Sequence, residues 1–367
     1  LVTSASGLHS ARCRRIGNRP ARRDDLRASR RDSRKGIELA SRTGDPPTRE
    51  LAWPTAEQRE PVSVGDLAGR TFLVTGANSG IGRATVEALA SRNARLVLAC
   101  RSEPRTLPVL EGLHARHPGL DATFLQVDIS DFTSIRSAAS AFLTTGRSLD
   151  VLINNAGVAV TAGLSADGFD LTYATNHIGP FLLTNLLLPR LRESAEGRIV
   201  NVASAAHYRA KRIDWSLLAP RTLARRSGVM DYAVTKLMNI LHAKALAQRL
   251  AGTSVTTYAL HTGGVATNIW RTLPGPVQWF LKLFMLTAEQ GAQTPLYCAT
   301  SPELRGVTGR VHSFAKEDPR RLVMLATTDA IGTHPQDDVR TQRAEHADEI
   351  AEDLASPPLL KRLVSAE

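Results

Sequence analysis

The chain has little cysteine, no long apolar run and no visible internal repeat. Its three cysteines, Cys13, Cys100 and Cys298, are odd in number and widely spaced among 367 residues. That argues against a disulfide framework and against a metal site, and it fits a reducing, cytoplasmic setting. No stretch approaches the ~18 consecutive apolar residues that a membrane-spanning helix requires. Composition is otherwise ordinary for a globular protein, with 43% hydrophobic and 22% charged residues.

A charge of one sign is scarce over most of the length. The formal net charge is +11, but residues 1–60 hold 14 Lys and Arg against 8 Asp and Glu. More than half of the excess therefore sits in the head of the chain, in runs such as ARCRRIGNRPARRDDLRASRRDSRK. That head lacks apolar periodicity and reads as a basic, disordered segment over residues 1–64. An Arg-rich targeting peptide or a nucleic-acid arm is the functional alternative. Acidic residues from Asp24 onward argue against a long transit peptide. Nucleic acid is not expected as a partner. Residues 326–367 are again polar and charged and read as a tail.

Between these ends the pattern changes. RTFLVTG, RLVLACR, TFLQVD, LDVLINNAG, GRIVNVAS and SVTTYAL are short apolar runs, and GRVHSF is a candidate seventh. Helical segments alternate with them: GRATVEALASR, EPRTLPVLEGLHARH, SIRSAASAFLTT, the long FDLTYATNHIGPFLLTNLLLPRLRES, and MDYAVTKLMNILHAKALAQRLA. Strands apolar throughout, alternating with amphipathic helices, predict a parallel sheet covered on both faces. The fold class is α/β: a doubly wound Rossmann-type parallel sheet of about seven strands flanked by helices on both faces. No linker interrupts residues 65–325, which read as one domain.

The first strand runs into TGANSGIG, Thr75–Gly82, before a helix. Gly76, Gly80 and Gly82 let backbone N–H groups and the helix N-terminus approach a pyrophosphate, with Asn78, Ser79 and Ile81 between them. The bland alternative is a glycine-rich turn without a ligand. At the end of the second strand the carboxylate that would bond unphosphorylated ribose is missing, and Cys100-Arg101-Ser102 stands there instead. A guanidinium at Arg101 pairs with a 2′-phosphate, so NADP(H) is favoured, with NAD(H) as the alternative.

TGANSGIG, NNAG at 154–157, NVAS at 201–204 and Tyr232-x-x-x-Lys236 together resemble the short-chain dehydrogenase/reductase superfamily over about residues 69–315. TNHIGPFLLTNLLLPRL, RIVNVASAAH and AEQGAQTPLYCATSPEL resemble its retinol dehydrogenase-like branch. The resemblance implies a catalytic set of Asn176, Ser204, Tyr232 and Lys236 and an NADP(H)-dependent oxidoreductase acting on a carbonyl or alcohol carbon. A free phenol has a pKa near 10, too high for an efficient base at neutral pH. An adjacent Lys236 ammonium and the positive nicotinamide of the oxidised cofactor are expected to lower it. Ser204 would hold the substrate oxygen, and Asn176 a water linking Lys236 to solvent. Taken singly, a Tyr/Lys pair at this spacing is a solvated helix face, and a lone Asn or Ser a cap.

The same resemblance makes Asp128 the acceptor for the adenine amino group, against a plain role in capping the helix near Asp131. It makes Asn154 structural, while Asn155, Ala156 and Gly157 line the cofactor. Thr267 would meet the nicotinamide amide or pyrophosphate. The preceding loop, His261-Thr262-Gly263-Gly264, has Thr262 where the branch has proline, which predicts a looser turn. His177, His207 and His261 are read as satisfied structural histidines. A lid is expected near residues 268–290, where Trp270, Trp279, Phe280, Leu283, Phe284 and Met285 offer an apolar surface to a hydrophobic substrate, or pack on the core. The protein is expected as a homo-oligomer or monomer with at most weak membrane association. The rival class is a catalytically silent dinucleotide sensor or interaction protein on the same fold.

Overall fold

The structure is a computed structural model that describes residues 66–159, 161–214, 218, 228–265 and 286–313. The basic head, the polar tail, Thr267 and the apolar residues 270–285 of the expected lid lie outside the described residues.

Seven strands form one sheet: β1 Thr71–Thr75, β2 Arg95–Cys100, β3 Ala122–Gln126, β4 Val151–Asn154, β5 Gly197–Val202, β6 Val255–His261 and β7 Arg310–Ser313. Their order is β3-β2-β1-β4-β5-β6-β7, and every pairing is parallel. GRVHSF thus supplies the seventh strand, at the edge beside β6. The helices are α1 Gly80–Ala90, α2 Glu103–Arg116, α3 Phe132–Thr144, the single turn α4 Leu171–Tyr173, α5 Gly179–Arg192, α6 Val229–Arg249 and α7 Ala288–Thr300.

The uniformly apolar strands are explained by burial on two sides. Along β1, Leu73 faces one core with α3, α5 and α6, while Phe72 and Val74 face the other with α1, α2 and α7. All three are fully buried, each contributing roughly 2 kcal/mol through the apolar area it removes from water. Alternate side chains thus fill two layers, which a half-exposed strand would not need.

Helix α7 is absent from the pattern expected along the sequence, because Gly291 and Pro295 sit inside it. Its beginning carries a readable signal, a Thr-x-x-Gln capping box. Thr287 Oγ1 accepts from Gln290 N at 3.2 Å, and Gln290 Oε1 accepts from Thr287 N at 3.0 Å. The long segment 169–194 is also not one regular helix. Between α4 and α5 a π-helical turn, Ala174–Ile178, carries Asn176 and His177. Its sequence cause is Gly179-Pro180. Gly179 N reaches back to Ala174 O, and Pro180 has no N–H to direct at the Asn176 carbonyl, as an α-helix would require.

The chain leaves β1 toward β2 and β3, then crosses to β4 on the other side. The loops after β1 and β4 therefore diverge, and a crevice opens at the carboxyl ends of these strands.

Candidate active site

The crevice holds a cavity of about 600 Å³, in the range of small-molecule and cofactor sites. One wall is the turn Gly76–Ile81. Gly76 has φ +66° and Gly80 φ +52°, a left-handed backbone that glycine adopts without strain. The turn is stapled to the loop after β4 by Thr75, whose hydroxyl accepts from the backbone N–H of Asn155 and of Ala156, each at 3.0 Å. The Asn155 amide donates to Thr75 O at 2.8 Å. Asn155 thus lines the cavity while its side chain holds the turn. Asn154 bonds Thr184 of α5 and Asn201 of β5, each at 3.0 Å, in the structural role expected of it.

Gly82 is in close contact with this turn. It does not line the cavity; a Cβ there would lie 2.3 Å from Gly76 O and 2.5 Å from the Asn155 amide. It is glycine because α1 starts in contact with the turn.

At the far end of the cavity lie Arg101, Ser102 and Arg105, the last unforeseen in the sequence. Arg105 could have been found as the basic residue in the first turn of the helix after β2. Arg101 is exposed and lies 3.5 Å from Asp128 Oδ2. The other Asp128 oxygen accepts from Ser130 N at 3.0 Å and Ser130 Oγ at 2.7 Å. The cap of α3 is Asp131, which accepts from Thr133 N and Ser134 N. Asp128 therefore steadies the turn before that helix and pairs with Arg101, while still lining the cavity.

Ser204, Tyr232, Lys236 and Gly157 meet at the other end. Ser204 sits where β5 ends and caps the short 3₁₀ turn Ala205–Arg209, its hydroxyl accepting from Ala206 N at 3.2 Å. Its carbonyl receives His207 N at 3.0 Å and His207 Nδ1 at 2.6 Å, so that ring is protonated on Nδ1. Tyr232 and Lys236 are one turn apart on α6, and Lys236 Nζ donates to Val202 O at 2.8 Å.

The chain by itself does not lower the phenol pKa as expected. Burial pushes Tyr232 above its ordinary value, and a hydrogen bond with Ser204 pulls the other way. Lys236, only 3% exposed, is itself pushed down by burial to about 8. Its ammonium lies 5.5 Å from the Tyr232 ring centre and is bonded to a carbonyl. Desolvation of both partners outweighs their attraction.

Asn176 lies just behind this group. Its Oδ1 accepts from Val158 N and its Nδ2 donates to Val158 O, both at 2.8 Å, and Nδ2 also donates to Thr235 Oγ1 at 3.0 Å. A Cβ on Gly157 would lie 3.2 Å from Asn176 Oδ1 and 3.5 Å from Lys236 Nζ, which explains glycine at this corner. The Asn176 side chain is thus engaged by Val158 and Thr235, and Pro180 offers no N–H to the Asn176 carbonyl.

Thr262 and Gly263 also line the cavity. The turn expected to be loose is tied: Leu286 N donates to Gly264 O at 2.8 Å, and Val265 pairs with Leu286. His177 Nδ1 is bonded to Asn239 and His207 Nδ1 to Ser204, while the buried His177 Nε2 and His261 Nδ1 have no hydrogen-bond partner among the described residues, so the expectation of satisfied histidines is met only in part.

This layout is a dinucleotide cradle by its own chemistry. Two turns are held close by glycines that a Cβ would force apart, cations stand at one end, and a phenol, a hydroxyl and an ammonium stand at the other. Among the described residues no helix is long and apolar enough to cross a membrane.

Comparison with known proteins agrees with the geometry. The short chain dehydrogenase family model matches residues 70–216. Human dehydrogenase/reductase SDR family member 13 is 43% identical over 255 residues, 67% of this chain, and the chain spans 66% of that relative's length. Human retinol dehydrogenase 11 is 40% identical over 250 residues, 67% of this chain and 78% of that protein. A crystal structure of an uncharacterized protein from Mycobacterium paratuberculosis aligns with TM-score 0.57 and 31% identity, covering 80% of this chain and 96% of that one. An NAD(P) dependent gluconate 5-dehydrogenase from Beutenbergia cavernae, with bound NADP, aligns with TM-score 0.55 and 25% identity over 68% of this chain and 96% of its own. With its sheet, its glycine turn and these relatives, the chain belongs to the short-chain dehydrogenase/reductase family, in the retinol dehydrogenase-like branch.

Proposed function

We propose that the protein is an NADP(H)-dependent oxidoreductase that interconverts a carbonyl and an alcohol on a hydrophobic substrate. The observation that carries this reading is the meeting of Ser204, Tyr232 and Lys236 at one end of a cavity whose other end holds Arg101 and Arg105. β1 and β4 lie between β2, which leads into Arg101, and β5, which leads into Ser204, so a dinucleotide would lie along the carboxyl ends of β1 and β4.

Gly76–Ile81 would hold the pyrophosphate through backbone N–H groups, and Arg101 and Arg105 a 2′-phosphate. Asn155, Ala156 and Gly157 would flank the nicotinamide half, and Thr267 would reach the same half. When bound, the nicotinamide supplies or accepts the hydride and, in its oxidised form, brings the positive charge that the phenol lacks. Tyr232 gives a proton to the substrate oxygen in reduction and takes it back in oxidation. Ser204, which lines the same cavity as Tyr232, would orient that oxygen. Lys236 would bond the nicotinamide ribose and favour phenolate. Asn176 would hold a water linking Lys236 to solvent. Asp128, which lines the cavity, would accept from the adenine amino group.

The substrate class follows from apolar surface beside the site. Among the described residues, Tyr208, four residues after Ser204, and Val229 and Met230, in the first turn of the helix that carries Tyr232, are exposed apolar side chains at 56%, 51% and 54%. Val229 is three residues before Tyr232, on the same helix face. The relatives called retinol dehydrogenase point toward a retinoid, and steroid- and fatty-aldehyde-like compounds share its apolar character.

The test is turnover of NADPH and of NADH with a panel of apolar aldehydes and ketones. Tyr232→Phe should reduce kcat by about a hundredfold or more while nucleotide binding is retained. Wild-type turnover in that variant would sink the mechanism.

A further inference from the structure

Helix α6 carries Tyr232 and Lys236 on one side and a row of polar side chains next to it, half-buried at Asp231 and buried at Thr235 and Asn239. Asp231, Thr235 and Asn239 follow one another at intervals of four, each one turn further along. Each meets a residue of the segment Tyr173–His177. The Tyr173 hydroxyl donates to Asp231 Oδ1 at 3.3 Å, the Asn176 amide to Thr235 Oγ1 at 3.0 Å, and His177 Nδ1 to Asn239 Oδ1 at 3.0 Å. Two rungs continue into α6 itself. Asp231 Oδ2 accepts from Gly228 N at 2.7 Å, closing the first turn, and Thr235 Oγ1 donates to Tyr232 O at 2.8 Å.

We infer that this three-rung ladder sets the rotation of α6, and that Tyr173 and Asp231 are positioning residues for Tyr232 and Lys236. Each of the first two rungs immediately precedes one of these residues: Asp231 stands before Tyr232 and Thr235 before Lys236. Apolar packing alone tolerates small rotations of a helix, because it has no direction. Hydrogen bonds between buried groups do have one, and leaving such a group unpaired is costly. Tyr173 and Thr235 are fully buried, Asn176 and His177 are each 1% exposed, and Asn239 is 7% exposed. The facing segment is the π-helical turn with Tyr173 just before it, so the irregularity brings three successive donors against one face of α6. A misplacement of about 1 Å at a reacting group costs on the order of a hundredfold in rate.

The inference rests on the proposed roles of Tyr232 and Lys236, so its test has two readouts. The variants are Tyr173→Phe, Asp231→Ala, Asp231→Asn and the double Tyr173→Phe/Asp231→Ala. In Asp231→Asn the amide oxygen accepts from Gly228 N while the amide nitrogen donates to the tyrosine oxygen, so the rung survives. Hydrogen exchange is first measured on the full chain without nucleotide. Exchange across residues 229–239 should quicken in Tyr173→Phe and Asp231→Ala, stay slow in Asp231→Asn, and leave residues 240–249 unchanged. In turnover, the two broken-rung variants should lose about tenfold or more in kcat with KM for nucleotide and substrate held. The double variant should be no worse than either single one, and Asp231→Asn should lie within about twofold of wild type. Unchanged exchange, losses that multiply in the double variant, or a loss expressed in KM alone would each overturn the ladder. A wild-type protein without turnover refutes the proposed activity instead, and exchange then decides the ladder by itself.

Discussion

Lys236 donates its ammonium to the carbonyl of Val202 at 2.8 Å, tying α6 to the end of β5 two residues before Ser204. This contact is an expensive one, since a 3% exposed cation has lost its water. It also makes a pH signature. Burial holds the folded-state pKa of Lys236 at about 8, against 10.5 for the exposed group. Between those values the unfolded chain binds the extra proton, so stability rises with pH there, on the order of 3 kcal/mol. Denaturant midpoints taken from pH 7.5 to 9.5 should climb in wild type and stay flatter in Lys236→Met. Equal slopes would mean that Lys236 is solvated.

The two arginines at the far end should divide the cofactors. Each charge-assisted bond to a 2′-phosphate contributes on the order of 1.5–3 kcal/mol, so Arg101→Leu/Arg105→Leu should weaken NADPH by about a hundredfold or more. NADH binding should change little. Arg105→Leu alone should take a large share, because Arg101 is also engaged by Asp128. Nucleotide titration by fluorescence measures this; a parallel loss for both cofactors would remove the arginines from the 2′-phosphate.

Gly82 should tolerate no side chain. A Cβ at 2.3 Å from Gly76 O meets backbone, which cannot step aside as a flexible side chain could. Gly82→Ala should cost about 1–3 kcal/mol, the usual penalty for overpacking. It should also weaken nucleotide binding, because the displaced atom belongs to the phosphate turn. A Gly82→Ala protein with wild-type Tm and nucleotide affinity would contradict this contact.

Acid should unfold the protein from the face where α5 meets α6. Burial pushes His177 down to about 4 and His242 to about 3, with the ordinary value at 6.5. Their rings lie 5.9 Å apart, and the Nε2 of each is buried without a hydrogen-bond partner among the described residues. The unfolded chain takes up these protons first. Stability is thus full above pH 6.5 and falls as pH drops toward 4, by up to several kcal/mol. His242→Phe should flatten the fall in denaturant midpoint between pH 6.5 and 4.5. An unaltered fall would assign it to other groups.

Much of the fold was legible because two-sided burial writes itself into composition. LVLAC and VLIN cannot be surface strands, and β2 and β4 are where they stand. The irregular parts were harder to read. Helix α7 contains Gly291 and Pro295, and the π turn arises from Gly179-Pro180, whose effect depends on Ile129 O lying where a Cβ of Gly179 would go. That neighbour belongs to a loop fifty residues away in sequence, beyond the reach of local propensity.

The sequence by itself determined the alternation of strands and helices, the glycine turn, the missing carboxylate after β2 and the Tyr232/Lys236 spacing, since each is a local pattern of a few residues. Tertiary structure decided what those residues face. It gave the Asn176 side chain to Val158 and Thr235, set Arg105 in the same cavity wall as Arg101, packed Gly82 against Gly76, and buried Lys236 until its own pKa fell. These are matters of distance between distant segments and of water excluded from between them, and both exist only once the sheet has brought β1, β4 and β5 together.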